Sequence, residues 1–450
     1  MDEAALEQLG TERIDWRYKG FPTAFHGMTA AELAAAGRPL TEFSTPLLVL
    51  DGAALDHNVA LMAGYCAEHG VGLAPHGKTT MAPQLFARQL KAGSWGITAA
   101  TIAHVRAYRA FGVETVMLAN ELIEADSLAW VAAELRRDPA FRLLCFADSA
   151  AGIAAMQAAL SAADAPRPVD IVIDLGLDGG RTGCRDIPTA VQVARAVHDA
   201  DRLRLVGVGG FEGALAKDRS AAGLERIRGY LNFVRQTAAA LDRAGLFGQA
   251  DEILLTAGGS AYFDDVVAIL ASGSATTGTG ADTGPAESAE PAEPADQWTA
   301  SRPVRTILRS GAYITHDDGH YRHLTPFGDP PAVPDRAFRP ALRILGRVLS
   351  RPETGLALLD FGKRDAPIDL GLPEPHEVRR ADGTVAELTG CSITALADQH
   401  AFLALGPGTE VSVGDVVSCG VSHPCTTFDK WRLIPVVEDG RVTELIRTFF

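Results

Sequence analysis

Residues 169–210 read VDIVIDLGLDGGRTGCRDIPTAVQVARAVHDADRLRLVGVGG. Val169–Asp174 is a short β-branched run, and Leu205–Gly210 is another. Between them, Ile187–Ala200 carries its apolar residues at helical spacing. A strand, a helical crossover and a second strand make the repeating unit of a parallel sheet.

The alternation continues in both directions. Further candidate strands are Pro46–Leu50, Val71–Ala74, Trp95–Thr98, Thr115–Leu118, Arg142–Phe146, Glu252–Thr256 and Pro303–Leu308. Helical periods cover Ala54–Glu68, Thr101–Phe111, Ala125–Arg137 and Leu224–Ala244. Regular βα alternation means an α/β fold, either doubly wound or closed as a (β/α)8 TIM-type barrel. If Pro46–Leu50 belongs elsewhere, the strand holding Ala74 is the first of eight and Pro303–Leu308 the eighth, which favours the barrel.

After about residue 311 the texture changes. Arg339–Leu349, Gly355–Phe361, Ala386–Leu396, Ala401–Leu405 and Val416–Gly420 are strand-like runs separated by Pro, Gly and Asp, as in an antiparallel β domain. Trp431–Phe450 reads as a hairpin with Asp439-Gly440 in its turn. The expected organisation is an N-terminal segment over 1–45 packing on either domain, a barrel over 46–312 and a C-terminal antiparallel β domain over 313–450. Ser274–Asp296 has no Ile, Leu, Val, aromatic, Lys or Arg, so it is expected to be a disordered surface insert in the barrel.

Of the 450 residues, 47% are hydrophobic and 22% charged, which suits a globular protein rather than a disordered one. The formal net charge of −15 argues against binding to nucleic acid or anionic membranes. Five of those fifteen excess negative charges lie in Ser274–Asp296, so the rest of the chain is only mildly acidic. Six scattered cysteines make no disulfide scaffold, and the acidic start MDEAALEQLG is no signal peptide. No apolar run is long enough to span a bilayer. A soluble, cytoplasmic protein is expected.

Four motifs carry chemistry. Pro75-His76-Gly77-Lys78-Thr79 ends a predicted barrel strand, which makes Lys78 a candidate Schiff-base amine whose pKa desolvation would lower. Thr256-Ala257-Gly258-Gly259-Ser260 and Arg309-Ser310-Gly311-Ala312-Tyr313 follow the last two strands, where barrels commonly bind phosphate on backbone N–H groups. A phosphate site together with an aldehyde-trapping amine describes pyridoxal phosphate. In Asp174–Gly183, Arg181 could reach the cofactor's phenolic oxygen or be an ordinary surface arginine. Finally, His423 and Cys425 in SHPCTTFDKW stand at i and i+2, so on an extended chain both project to one face and could share a zinc ion. Two protein ligands would leave the metal open to water or substrate. His400 is a candidate further ligand or acid/base group, or a hydrogen-bonded structural histidine.

Taken together, PHGKT, RTG, TAGGS, RSGAY and SHPCTTFDKW resemble the D-serine dehydratase-like/D-threonine aldolase family of alanine-racemase-type (fold type III) pyridoxal-phosphate enzymes. The resemblance covers about residues 46–432 apart from the insert. It implies a barrel with the cofactor on Lys78, Arg181 near the phenolic oxygen, and Gly258, Gly259, Ser260, Gly311 and Ala312 at the phosphate. It also implies zinc on His423 and Cys425, an amino-acid substrate and a homodimer. The H-x-C pairing resembles the dehydratase branch; the aldolases typically show H-x-D. Family members often place Tyr or His near Gly210-Phe211-Glu212-Gly213, so no partner is assigned to the pyridine nitrogen. The implied activity is zinc-assisted elimination of water from a D-β-hydroxy amino acid, giving a 2-oxo acid and ammonia. The alternatives are retro-aldol cleavage of D-threonine, an amino-acid racemase, or a non-catalytic cofactor carrier.

Overall fold

The computed structural model describes residues 1–271, 298–332 and 336–450. The insert expected over Ser274–Asp296 lies outside the described residues.

Eight parallel strands form one curled sheet: Gly72–Leu73, Ile97–Ala99, Thr115–Glu121, Arg142–Ala147, Val169–Leu175, Leu203–Gly210, Ile253–Ala257 and Val304–Leu308. The first pairs with the last, Gly72 opposite Ile307. It meets the second through a single parallel bridge, His76 to Thr98, which closes the barrel. Strand-to-helix junctions are set by side chains that accept free backbone N–H groups: Asp51 caps Gly52–Glu68, Ser149 caps Ala150–Ala162 and Asp186 caps Ile187–His198. The strand interiors are buried apolar residues, continuous with the buried faces of the surrounding helices.

The strand Leu47–Asp51 does not belong to this barrel, so the expected start at residue 46 is corrected. It lies in the second sheet, antiparallel to Leu342–Glu353 and parallel to Leu433–Glu438. That sheet runs Val385–Glu387, Glu374–Arg379, Val416–Gly420, Leu342–Glu353, Leu47–Asp51, Leu433–Glu438, Arg441–Arg447. Leu356–Leu359, Ala401–Ala404 and Ser392–Leu396 extend it from Leu342–Glu353. The expected run Ala386–Leu396 is two strands divided by the turn at Gly390, whose φ is +71°. The C-terminal hairpin forms as expected, with positive φ at both Asp439 and Gly440. The N-terminal segment packs on this second unit: Ile14, Tyr18, Phe21, Phe25 and Phe43 form a core with Leu47, Leu345, Leu433 and Leu445. Among the described residues, no helix is long and apolar enough to cross a membrane.

The barrel's N-terminal end carries a charge cluster away from the mouth. Asp170, 2% exposed, accepts Nε–H bonds of 2.7 Å from both Arg142 and Arg204. Asp170→Ala would leave two guanidinium groups unpaired and is expected to destabilise the fold by about 2–3 kcal/mol. Because this end is remote from the catalytic face, kcat should be unchanged at temperatures where the variant is folded. Denaturant unfolding and steady-state rates on the same sample check both parts.

Candidate active site

Lys78 sits in the single 3-10 turn Gly77–Thr79, which caps the first barrel strand. The turn packs so closely that a Cβ on Gly77 would lie 2.6 Å from the Tyr108 hydroxyl. Burial holds the Lys78 amine below its ordinary value, Arg181 and Arg309 push in the same direction, and Cys425 opposes them. His76 is pushed well below the usual imidazole range by burial and by the charges of Lys78, Arg309 and Arg181, so it is neutral. Its Nδ1 is buried without a hydrogen-bond partner.

The two glycine loops meet beside this turn. Arg309 N–H donates to the Gly258 carbonyl (2.9 Å), Ser310 Oγ donates to the Gly259 carbonyl (2.8 Å), and Ala312 N–H donates to Ser260 Oγ (3.2 Å). A Cβ on Gly311 would lie 2.7 Å from both the His76 carbonyl and Thr79 Oγ1, so this loop touches the lysine turn directly. The N–H groups of Gly258 and Gly259, expected at the phosphate, are instead engaged by the buried carboxylate of Glu212 at 3.0 and 2.9 Å. Ser260 N–H and Gly311 N–H have no acceptor among the described residues.

Arg181 lies on the turn after Val169–Leu175, its guanidinium 4.6 Å from the centre of the Phe211 ring. Arg185 fixes that turn by donating to the carbonyls of Arg181, Thr182 and Gly183. Thr182 Oγ1 also donates to Asp174 (2.8 Å) and Gly183 N–H to Asp148 (2.9 Å). Burial raises Asp174 to about 6. Glu121 rises to about 7, mainly by burial and further by the Asp174 charge.

The H-P-C motif is not extended, which corrects the expected geometry. Pro424 is helical (φ −57°, ψ −43°), and Cys425 opens the one-turn helix Cys425–Phe428. What brings His423 and Cys425 together is this turn, anchored below by buried Phe428 and by Trp431, whose Nε1 donates to the Asp365 carbonyl (2.9 Å). Cys425 Sγ lies 3.3 Å from Thr79 Oγ1, within hydrogen-bond reach. His423 Nδ1 is 2.6 Å from Asp369 Oδ2, while Thr426 Oγ1 donates to Asp369 Oδ1 (2.8 Å). Burial works against the charged His423 ring, but hydrogen bonds and charge from Cys425 and Asp369 outweigh it and raise the ring to about 9. Among the described residues no three or more His, Cys, Asp or Glu converge as a metal cluster. His400 is exposed in the turn between Ser392–Leu396 and Ala401–Ala404, with no contact to the motif.

Sequence reasoning missed Asp369, Glu212, Arg309 as a side chain, and Tyr321. Arg309 is buried; its Nη1 donates to Thr256 O and Oγ1, its Nη2 to Gly210 O, and its Nε has no partner. Burial, with the Cys425, Asp317 and Glu212 charges, pushes the Tyr321 hydroxyl well above its ordinary value.

Residues 341–437 match the model of a putative serine dehydratase domain. Over 421 residues the chain is 25% identical to a D-threonine aldolase of Arthrobacter sp, covering 93% of this chain and 96% of that one. It is 30% identical over 171 residues to a D-threo-3-hydroxyaspartate dehydratase of Delftia sp. (strain HT23), 38% of this chain and 43% of that one. The crystal structure of a D-threonine aldolase from Filomicrobium marinum superposes with a TM-score of 0.72 at 24% identity, over 92% of this chain and 97% of that one. An alanine racemase of Clostridium difficile 630 shares the fold with a TM-score of 0.57 at 12% identity, over 90% of this chain and 99% of that one. The fold is therefore of the alanine-racemase type. The chain is similar along nearly its whole length to a D-threonine aldolase and over part of its length to a D-threo-3-hydroxyaspartate dehydratase.

Proposed function

We propose that the chain is a pyridoxal-phosphate-dependent lyase acting on D-β-hydroxy amino acids, and that it eliminates water from them with zinc on His423 and Cys425. The contact between Thr79 and Cys425 carries this reading, because it joins motifs 346 residues apart in the chain. A reactive amine and a thiol thereby serve one site.

The residues present suit both groups. An anion finds open N–H donors at Ser260 and Gly311, and a mouth made cationic by Lys78, Arg181 and the buried Arg309. Imidazole and thiolate make a zinc-type donor pair. Asp369, bound at His423 Nδ1, leaves Nε2 as the ligating atom, the usual outer partner of a metal-bound histidine.

When bound, pyridoxal phosphate supplies an electron sink for the Cα–H bond, and zinc supplies Lewis acidity toward the β-hydroxyl. The chain's own residues do the rest. Lys78, its amine held below the ordinary lysine range, is the base that takes the Cα proton at Nζ. Thr79 orients Cys425 Sγ, and Asp369 with Thr426 fixes the His423 ring. Arg181, its guanidinium over the Phe211 ring, would hold the cofactor's phenolic oxygen when it is bound.

Aldol cleavage is the second reading, favoured by the near full-length likeness to the Arthrobacter D-threonine aldolase. D-threonine separates the two. Dehydration releases 2-oxobutanoate and ammonia; aldol cleavage releases acetaldehyde and glycine. We expect 2-oxobutanoate in a lactate-dehydrogenase-coupled assay, and acetaldehyde alone would transfer the proposal to the aldolase.

A further inference from the structure

Glu212 is a fully buried carboxylate in the mouth that the chemistry above leaves without a task. It follows the strand Leu203–Gly210 and opens the short turn Glu212–Ala214. Its two oxygens accept one backbone N–H each from the neighbouring loop, Oε2 from Gly258 and Oε1 from Gly259. Successive N–H groups directed at one point form a concave anion seat, and the left-handed φ of +92° at Gly258 shapes this one. It lies after the seventh barrel strand, where a phosphate is expected. The protein's own anion already fills it.

A carboxylate that only stood in for phosphate would have to leave when the cofactor arrives. Several observations hold it in place instead. Glu212 has no exposure to solvent, and the loop it holds is bonded to the backbone of the buried Arg309, whose guanidinium is itself tied to the carbonyls of Thr256 and Gly210. The opposite side of the same loop is pinned as well, with the Gly258 carbonyl bonded to Arg309 N–H and the Gly259 carbonyl to Ser310 Oγ. The turn is thus held through its N–H groups on one side and its carbonyls on the other. The next donors, Ser260 N–H and Gly311 N–H, are left free.

We infer that Glu212 is a positioning residue for the cofactor phosphate: it holds the Gly258-Gly259 turn so that Ser260 and Gly311 present their N–H groups to the anion. The inference rests on the pyridoxal-phosphate reading of the site. It moves the phosphate off Gly258 and Gly259, and it gives an acidic side chain a constructive part in an anion site.

The test compares pyridoxal phosphate with pyridoxal, which carries the same aldehyde without the phosphate. Apo wild type, Glu212→Ala and Glu212→Gln are titrated with each ligand by absorbance, with thermal melting of each apo form alongside. In Glu212→Ala we expect pyridoxal phosphate affinity to fall about ten- to a hundred-fold and pyridoxal affinity to change less than about two-fold. Glu212→Gln keeps one acceptor and should fall between, and it carries the test if the alanine variant does not fold. Tighter binding of pyridoxal phosphate would mark Glu212 as a mere stand-in and overturn the inference. Equal losses for both ligands, or unchanged phosphate-dependent affinity, would overturn it too. A wild type that binds neither ligand would remove the cofactor reading itself, a distinct result.

Discussion

Lys78→Ala protein is expected to fold, to lack the visible absorbance at about 410–420 nm that bound pyridoxal phosphate gives the wild type, and to lose about a thousand-fold or more in turnover. The size of the effect follows from the place of Lys78. It is the amine at the end of the first barrel strand, at the point where the barrel closes, beside the two glycine loops. Burial lowers its proton affinity, with Arg181 and Arg309 acting in the same direction and the Cys425 charge against them. Among the described residues the side chain carries no hydrogen bond or ion pair, and the neighbouring turn is held by Thr79, Met81 and Gly77 through the backbone. A variant that melts like the wild type yet keeps the band would contradict this assignment. Loss of the band and of folding together would leave Lys78→Arg, which keeps charge and bulk, to make the same comparison.

Cys425→Ala should behave in the opposite way toward the cofactor. The absorbance band should remain, while lyase turnover falls about a hundred- to ten-thousand-fold. Dialysis against a chelator should reproduce the loss, and added zinc should restore it in the wild type but not in the variant. The reason is again positional. Cys425 meets the lysine turn by a hydrogen bond at Thr79, so its removal leaves the phosphate loops and the Lys78 backbone in place and takes away only its charge from beside the amine. Its turn is held by Phe428, Trp431 and Thr427 Oγ1, which donates to the His423 carbonyl, so the fold should tolerate the change. Metal analysis of each preparation accompanies the assay. Full turnover after verified zinc loss would remove the Lewis-acid role.

Much of the barrel was legible because its strands are short apolar runs separated by helices of ordinary period. The strand Leu47–Asp51 was ambiguous for a physical reason: Leu47 to Leu50 are all buried, so nothing in the pattern says which sheet buries them. Its partners are near residues 344 and 436, remote in the chain. Glu374–Arg379 escaped notice as a strand because it lies next to the sheet's edge and has a largely solvated face, where Pro, His and Glu are tolerated.

The candidate site divides along the same line. Lys78, the glycine loops and the H-P-C motif are local patterns whose residue types state their chemistry. Asp369 and Glu212 act through partners 54 and 46 residues away, and a buried carboxylate reads in sequence like a surface one. The Gly258 and Gly259 donors looked available because composition cannot show that another side chain already holds them. Pro424, read on an extended strand, instead starts a helical turn that sets the spacing of His423 and Cys425.

The central claim is that one site cleaves D-β-hydroxy amino acids. It is tested most directly by incubating the holoenzyme with the D and L forms of serine, threonine and 3-hydroxyaspartate, and scoring 2-oxo acid, aldehyde and the amino-acid enantiomer separately. The account predicts 2-oxo acid and ammonia from D substrates and none from their L counterparts. Interconversion of D and L forms with neither product would show a racemase and contradict it.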